Sequence, residues 1–430
     1  MDSTAHLTYP ESYYSATAAL LPPFAPLQGT TSADVCVIGG GIAGCAAALT
    51  LAERGYRVAL LEAERVGWGA SGRSGGQVMY GLAVEQEALE QELGLADARR
   101  VWQISLDGLE WLKSRIQRHA IDCDWTTGQM YTAIKPRQWR LLRGWQDQLR
   151  RRYDYQSTRL IERSELRSLL ETERYIGALY DGNSGHLHPL RYTLGLARAA
   201  AAAGATLHEG SRVRRHTAQG ERVELVTDQG RVDCRYAIFA GNAWLGDTVP
   251  VLQRKLIAIA SYIVATEPLG EARARRLIAN NAAVCDTNWI LDYFRCSADH
   301  RLLFGGRVNY SGINVRAIAP VTRRRMLQVY PQLSDVRIDY AWGCLIDITR
   351  NRTPHFGRLT PNIYFLQGFS GHGIALAGIA GALAAEALAG TAERFDVLAR
   401  LPQRNFPGGK ALRQPLLALA MLAFRLRDLL

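Results

Sequence analysis

The sequence predicts an α/β (α+β) fold of two units, and three observations carry that prediction. An apolar strand, a glycine turn, a small-residue helix and a second apolar strand follow one another between Ala33 and Glu64. Two further glycine-rich loops occur at 67–77 and 367–373. Between them a β-rich stretch, Glu221 to Phe239, turns at Asp228-Gln229-Gly230 and runs on into small residues. A length of 430 residues accommodates two or three folded units at about 150 residues each.

Val35-Cys36-Val37-Ile38 is wholly apolar, as a strand covered on both faces requires. Gly39, Gly41 and Gly44 follow in G-x-G-x-x-G spacing, and Cys45 to Leu51 reads as a helix ending near Gly55. The next strand, Val58 to Leu61, leads into Glu62, 18 residues beyond Gly44. Gly39 permits the tight turn, Gly41 lets the backbone approach a pyrophosphate, and Gly44 lets helix and strand pack closely. Ile42 and Ala43 open the helix, whose free N–H groups and dipole favour phosphate. Glu62 stands where an acid accepts from ribose hydroxyls. Strand, turn, helix, strand and acid in this order predict a Rossmann-like dinucleotide-binding unit.

A nicotinamide enzyme needs little more than this motif, so the additional loops point to FAD. Gly67 to Gln77 (GWGASGRSGGQ) follows the second strand, and Gln367 to Gly373 (QGFSGHG) precedes the helical pattern Ile374 to Leu388. A helix starting near Gly373 directs its positive end at whatever lies beneath, and a reduced flavin carries negative charge at its N1–C2=O edge. Ala237 to Trp244 reads as a buried strand ending in small residues, with Gly241 among them. Loops this far apart predict a cofactor domain of discontinuous segments, 30–90, 185–250 and 340–400. A smaller β-sheet substrate domain then takes 91–184 and 251–339, between an N-terminal arm (1–29) and a C-terminal tail (401–430).

Composition narrows the partners. The formal charge is +11, and all but four of the 51 basic residues are arginine. The closest runs, Arg150 to Arg152 and Arg323 to Arg325, sit in helix-like patterns and read as solvated helix faces. With no helix-turn-helix, finger or aromatic-studded basic strand, no nucleic-acid partner is predicted. Seven cysteines without a C-x-x-C pair suit reduced thiols in a cytoplasmic protein, and no metal site is predicted. Met1 to Tyr14 lacks a basic and an apolar region, so no secretory signal is expected, and the most apolar stretch, Ile374 to Gly390, is broken by Glu386, so no membrane span is expected.

The first glycine unit, Gly69-Ala70-Ser71-Gly72-Arg73, Ala240 to Trp244 and Gly368 to Gly373 together resemble the D-amino-acid oxidase/sarcosine oxidase family of FAD enzymes. Ser12-Tyr13-Tyr14, Gly185 to Leu190, Leu291-Asp292-Tyr293, Arg301-Leu302-Leu303 and Phe406 to Gly409 extend the resemblance, almost end to end, to its γ-glutamylputrescine oxidase branch. The resemblance implies oxidation of a small-molecule amine by hydride transfer to flavin N5, followed by hydrolysis to an aldehyde and ammonia. It places Gly39, Gly41 and Gly44 at the pyrophosphate and Glu62 at the ribose. Ala70, Ser71, Gly72, Arg73, Gly75, Gly76 and Gln77 would wrap the flavin and phosphates, and the backbone of Val213 would meet the adenine. Gly371, His372, Gly373 and Ile374 would meet the pyrimidine edge of the ring.

On the substrate side, strand alternation puts Trp289, Leu291, Tyr293 and Arg295 on one face and Asp292 on the other. The resemblance lays this strand over the flavin, so Tyr293 and Arg295 lead as catalytic-pocket residues. Tyr293 would form an aromatic wall for an amine. Arg295 would either grip a substrate carboxylate or make a structural ion pair. Asp292 would attract a cationic amine or cap a turn. His186 and His188, ahead of Pro189 and the helix Leu190 to Ala203, read as structural. Two departures from the sarcosine oxidase branch matter. Cys344 falls where that branch links its flavin, but free cysteines are usually small buried hydrophobes, so FAD is expected to be non-covalent, with a link at Cys344 as the alternative. Leu302 to Gly305 lacks the lysine that activates oxygen there, which leaves O2 or an unidentified carrier as electron acceptor. The apolar tail Leu416 to Leu430 reads as a packed helix or a membrane-surface contact. The second functional reading is an amino-acid or secondary-amine dehydrogenase, and the third a non-catalytic FAD-binding protein.

Overall fold

Val35 to Ile38 forms the buried end of strand Gly29–Ile38 in the computed structural model, which describes residues 7–309 and 315–407. That strand is central in a sheet ordered His355–Thr360, Ile363–Gln367, Gly230–Phe239, Gly29–Ile38, Val58–Leu61, Thr206–His208. All but the first of these run parallel. A hairpin of Arg215–Gln219 and Arg222–Val226 continues antiparallel from Gly230–Phe239. The expected Rossmann-like core is therefore present.

Helix Ile42–Ala52 packs against both Pro189–Ala202 and Ile374–Leu388. Small residues make this possible: a Cβ on Gly381 would lie 2.2 Å from Ala43 O. Apart from Glu386, helix Ile374–Leu388 is apolar all round because its other side meets helix Leu95–Arg118, where Trp111 lies against Gly378. Among the described residues no helix is long and apolar enough to cross a membrane.

The second sheet is ordered Ile338–Thr349, Leu256–Thr266, Leu302–Asn309, Asp292–Cys296, Ala283–Asp286, Thr126–Ala133, Gly177–His186, Gln77–Val78. Thr158–Glu162 pairs beside Gly177–His186. One face carries Phe294, Phe304, Val284 and Met130, packed with Met326 and Val329 of helix Val315–Val329. The other face carries Tyr293, Ser261 and Cys344 and looks toward the glycine loops of the first sheet.

Several expectations change. The substrate strand begins at Asp292, and Trp289 and Leu291 lie in a turn, 37% and 38% exposed, so only Tyr293 and Arg295 share the inward face. Residues 340–349, grouped by sequence with the cofactor segments, belong to strand Ile338–Thr349, which pairs along its length with Leu256–Thr266 in the second sheet. Apolar alternation fixes a strand's faces but not the sheet it joins. Helix Leu95–Arg118, grouped with the substrate segments, packs on the cofactor side.

Asp292 neither faces an amine nor caps a turn: it is buried on the outward face and bonded to Arg325 Nε at 2.6 Å. The second arginine run is thus more than a solvated face. The first fits its reading, with Arg151 on Asp147 at 2.7 Å and Arg152 on Glu90 at 2.6 Å. All seven cysteines are buried and unpaired, and the described residues hold no cluster able to bind a metal. Gly408-Gly409 and Leu416 to Leu430 lie outside the described residues.

Candidate active site

The carboxyl ends of Gly29–Ile38, Val58–Leu61 and Gly230–Phe239 open onto a cleft lined by Gly39, Gly41, Glu62, Ala70, Ser71, Val213 and Gly241. This is where parallel sheets place ligands. Gly39 has φ +112° and a Cβ there would lie 2.7 Å from Ala240 O, while one on Gly44 would lie 1.9 Å from Gly39 O. The turn and the helix–strand contact both exclude a side chain, as the spacing predicts. Gly41 is the N-cap of helix Ile42–Ala52, and the N–H of Ile42 donates to Ser71 Oγ at 3.0 Å. The second glycine loop therefore sits on the start of the first helix, with Ala43 buried just behind.

Glu62 accepts from Gly40 N at 2.6 Å and from Glu64 N at 2.9 Å, one bond to each carboxylate oxygen. Each oxygen keeps a second acceptor site for a ribose hydroxyl. Burial raises the pKa of Glu62, against the lowering effect of those two N–H groups. Val213 is buried in the cleft wall, its carbonyl accepting from Thr248 Oγ1 at 3.1 Å.

The third loop crosses Ser370 and Gly371 in left-handed conformation (φ +53° and +83°) before the N-cap Gly373 and the first helical residue, Ile374. His372 Nε2 donates to Tyr80 O at 2.7 Å, and burial lowers its pKa. Asp347 is the residue that sequence reasoning missed. Its buried carboxylate accepts from Gly368 N and from the Asn242 side chain, and its carbonyl from Ser370 N at 3.0 Å. It ties the third loop to the second sheet and to the end of Gly230–Phe239. Burial pushes its pKa up to about 6. The available signal was a single acid inside the apolar run Trp342 to Ile348.

The second loop meets the inward face of the second sheet. The Tyr293 ring lies so close to Gly75 and Gly305 that a Cβ would come within 2.6 Å and 2.1 Å of it, and its hydroxyl bonds Ser261 Oγ at 3.1 Å. Arg295, 3% exposed, places all five of its N–H groups on neutral acceptors. Nε donates to Gly75 O, Nη1 to His186 Nδ1 and Cys296 O, and Nη2 to Tyr14 Oη and Leu187 O. This geometry corrects both roles expected of Arg295: it has no ion pair among the described residues, and it has no donor left for a substrate carboxylate. Gly76 (φ +76°) allows the approach, since a Cβ would lie 2.8 Å from Arg295 Nη2. Gln77 Nε2 donates to Val284 O at 2.9 Å, so its side chain braces the sheet.

Ala70–Gly72 forms a single 3₁₀ turn leading to Arg73. The Arg73 guanidinium lies over the Trp68 ring at 4.4 Å and donates from Nη1 to Gly343 O at 3.2 Å. Its Nη2, with Ser74 Oγ and Asn242 Oδ1, is buried without a partner. The neighbouring Cys344 thiol is buried, which pushes its pKa up to about 11 despite Arg73. Burial drives His186 and His188 down to about 3, helped by the charge of Arg295 at His186 and by those of Arg191 and Arg295 at His188.

These features fit FAD. Side-chain-free turns approach the cleft, an acid waits at its ribose end, an uncapped helix N-terminus closes the third loop, and three buried polar atoms lack partners.

Comparison with known proteins points the same way. Residues 34–387 match the DAO family, described as FAD dependent oxidoreductase. The chain is 40% identical to the γ-glutamylputrescine oxidoreductase of Escherichia coli (strain K12), over 97% of this chain and 98% of that one. It is also 40% identical to the probable oxidoreductase OrdL of Haemophilus influenzae, over 95% of each chain. The glycine oxidase of Bacillus cereus shares the fold, with a TM-score of 0.70 at 21% identity, covering 86% of this chain and 99% of that one. With the glycine loops in place and the match running through both sheets, the chain belongs to the DAO family of FAD-dependent oxidoreductases.

Proposed function

We propose that the protein oxidises the primary amine of γ-glutamylputrescine, or of a related polyamine derivative, to an aldehyde with release of ammonia. The observation that carries this reading is the full-length likeness to the Escherichia coli γ-glutamylputrescine oxidoreductase. Bound FAD supplies the two-electron acceptor, at N5 of its ring. The chain's own residues bind, orient and exclude water. Tyr293, fixed by Ser261, gives the inward face an aromatic surface suited to an alkylamine. His186 and His188 do not serve as strong bases: both are held far below neutrality, and both ring nitrogens of His186 are engaged, by Asn281 O and Arg295. The amine therefore reacts in its neutral form, and a water hydrolyses the imine.

Anaerobic titration of the holoenzyme with γ-glutamylputrescine, putrescine, sarcosine and D-alanine tests the reading. Bleaching of the flavin by γ-glutamylputrescine is expected. Preferential bleaching by sarcosine or D-alanine would replace it with an amino-acid or secondary-amine dehydrogenase, and no bleaching by any of them with a non-catalytic FAD protein. Peroxide formation in air marks oxygen as acceptor; dye reduction without peroxide marks a carrier, which the lysine-free strand favours.

A further inference from the structure

Two arginines are buried against the second glycine loop, and neither has a carboxylate in contact among the described residues. Arg73 is 7% exposed and Arg295 is 3% exposed. A buried cation is costly unless its donors are met and its charge is offset. Arg295 meets the first condition with neutral acceptors alone. Arg73 does not: Nη2 is shielded from solvent and has no acceptor.

Everything else about Arg73 is fixed. Trp68 stacks on its plane, Gly343 O holds Nη1, and Trp342 Nε1 donates to its backbone carbonyl at 3.0 Å. Its surroundings belong to the cofactor loops: Trp68 and Gly69 line the nucleotide cleft on one side, and Gly75 lies under Tyr293 on the other. One edge of a rigid cation is thus left without an acceptor, between the nucleotide cleft and the Tyr293 face of the second sheet.

We propose that Arg73 sets the electron affinity of the flavin: its open Nη2 edge donates to the isoalloxazine ring, and its charge offsets the negative charge the ring gains on reduction. The inference rests on the FAD reading and is independent of which amine is oxidised.

The test uses the holoenzyme and no amine. Wild type, R73K and R73Q are photoreduced beside a reference dye, and FAD dissociation is followed by ultrafiltration. R73Q is expected to move the reduction equilibrium toward the oxidised form by at least tenfold, ~30 mV for a two-electron couple. R73K, which keeps the charge but not the planar fork, is expected to move it about two- to fivefold the same way. R73K decides alone if R73Q retains no FAD. An equilibrium within twofold of wild type in either variant, whatever the loss of FAD affinity, reduces Arg73 to a structural strap and overturns the proposal. An R73K shift as large as that of R73Q also overturns it, because charge would then not matter. Because no amine is present, failure here is distinct from failure of the substrate reading.

Discussion

At the scale of single residues, the site depends on which polar groups are satisfied within the protein and which are left open. Cys344 illustrates the first. Its buried thiol, at about 11, is almost wholly protonated at neutral pH, and the thiolate is the species that attacks. Acid precipitation is therefore expected to leave the yellow colour in the supernatant, and Cys344→Ala to retain FAD; a yellow pellet that turns colourless in that variant would reverse the conclusion. Glycine positions were legible in the sequence because their reason is steric and local. Gly44 is crowded by the carbonyl of Gly39, five residues earlier, and Gly39 itself turns through a positive φ of +112°. The partners of Arg295 were not legible. Alternation put it on the correct face beside Tyr293, but its acceptors come from Tyr14, Gly75, His186 and Leu187, far away in sequence. Asp347 was hidden for the same reason, its partners lying about 20 residues later and about 100 earlier.

Among elements, the contact between helices Ile42–Ala52 and Ile374–Leu388 links two cofactor loops, because each helix begins where a loop ends. Gly381→Ala forces a Cβ toward Ala43 O and is expected to cost about 1–3 kcal/mol. A lowered Tm with weaker FAD binding would bear this out; an unchanged Tm would show that the helices separate freely. The βαβ unit and the core helix Ile374–Leu388 could be read from apolar period and glycine punctuation. The sheet membership of Ile338–Thr349 could not, since a long half-apolar strand carries no label for its neighbour. Nor could the late start of the substrate strand, where Trp289 and Leu291 imitate alternation from within a turn.

Over the whole molecule, buried neutral histidines tie stability to pH. His188 has a folded pKa of about 3 and an unfolded value near 6.5, so its contribution is present above about pH 6.5 and is lost as pH falls toward 3. Asp347, raised to about 6, acts in the opposite sense: its contribution is present at low pH and lost as pH rises through 6. Comparing His188→Gln with wild type by urea unfolding isolates the first effect. The advantage of wild type is expected to shrink by about 2–3 kcal/mol between about pH 6.5 and 4.5. A difference that stays constant would mean that His188 is protonated in the native state. The same arm that seats His188 also bears on how the protein is made. Thr17 bonds His188, Tyr13 bonds Asp299 at 2.7 Å, and Tyr14 bonds Arg295, 281 residues away. At ordinary translation rates, Tyr13, Tyr14 and Thr17 wait on the order of tens of seconds for these partners to be synthesised. A nascent chain halted before Asp292 already holds the first two glycine loops and His188, but lacks Arg295, the hydrogen-bond partner of Tyr14. The arm is synthesised long before Arg295 and Asp299 and is seated late, so the pocket takes its final form only after both have been made.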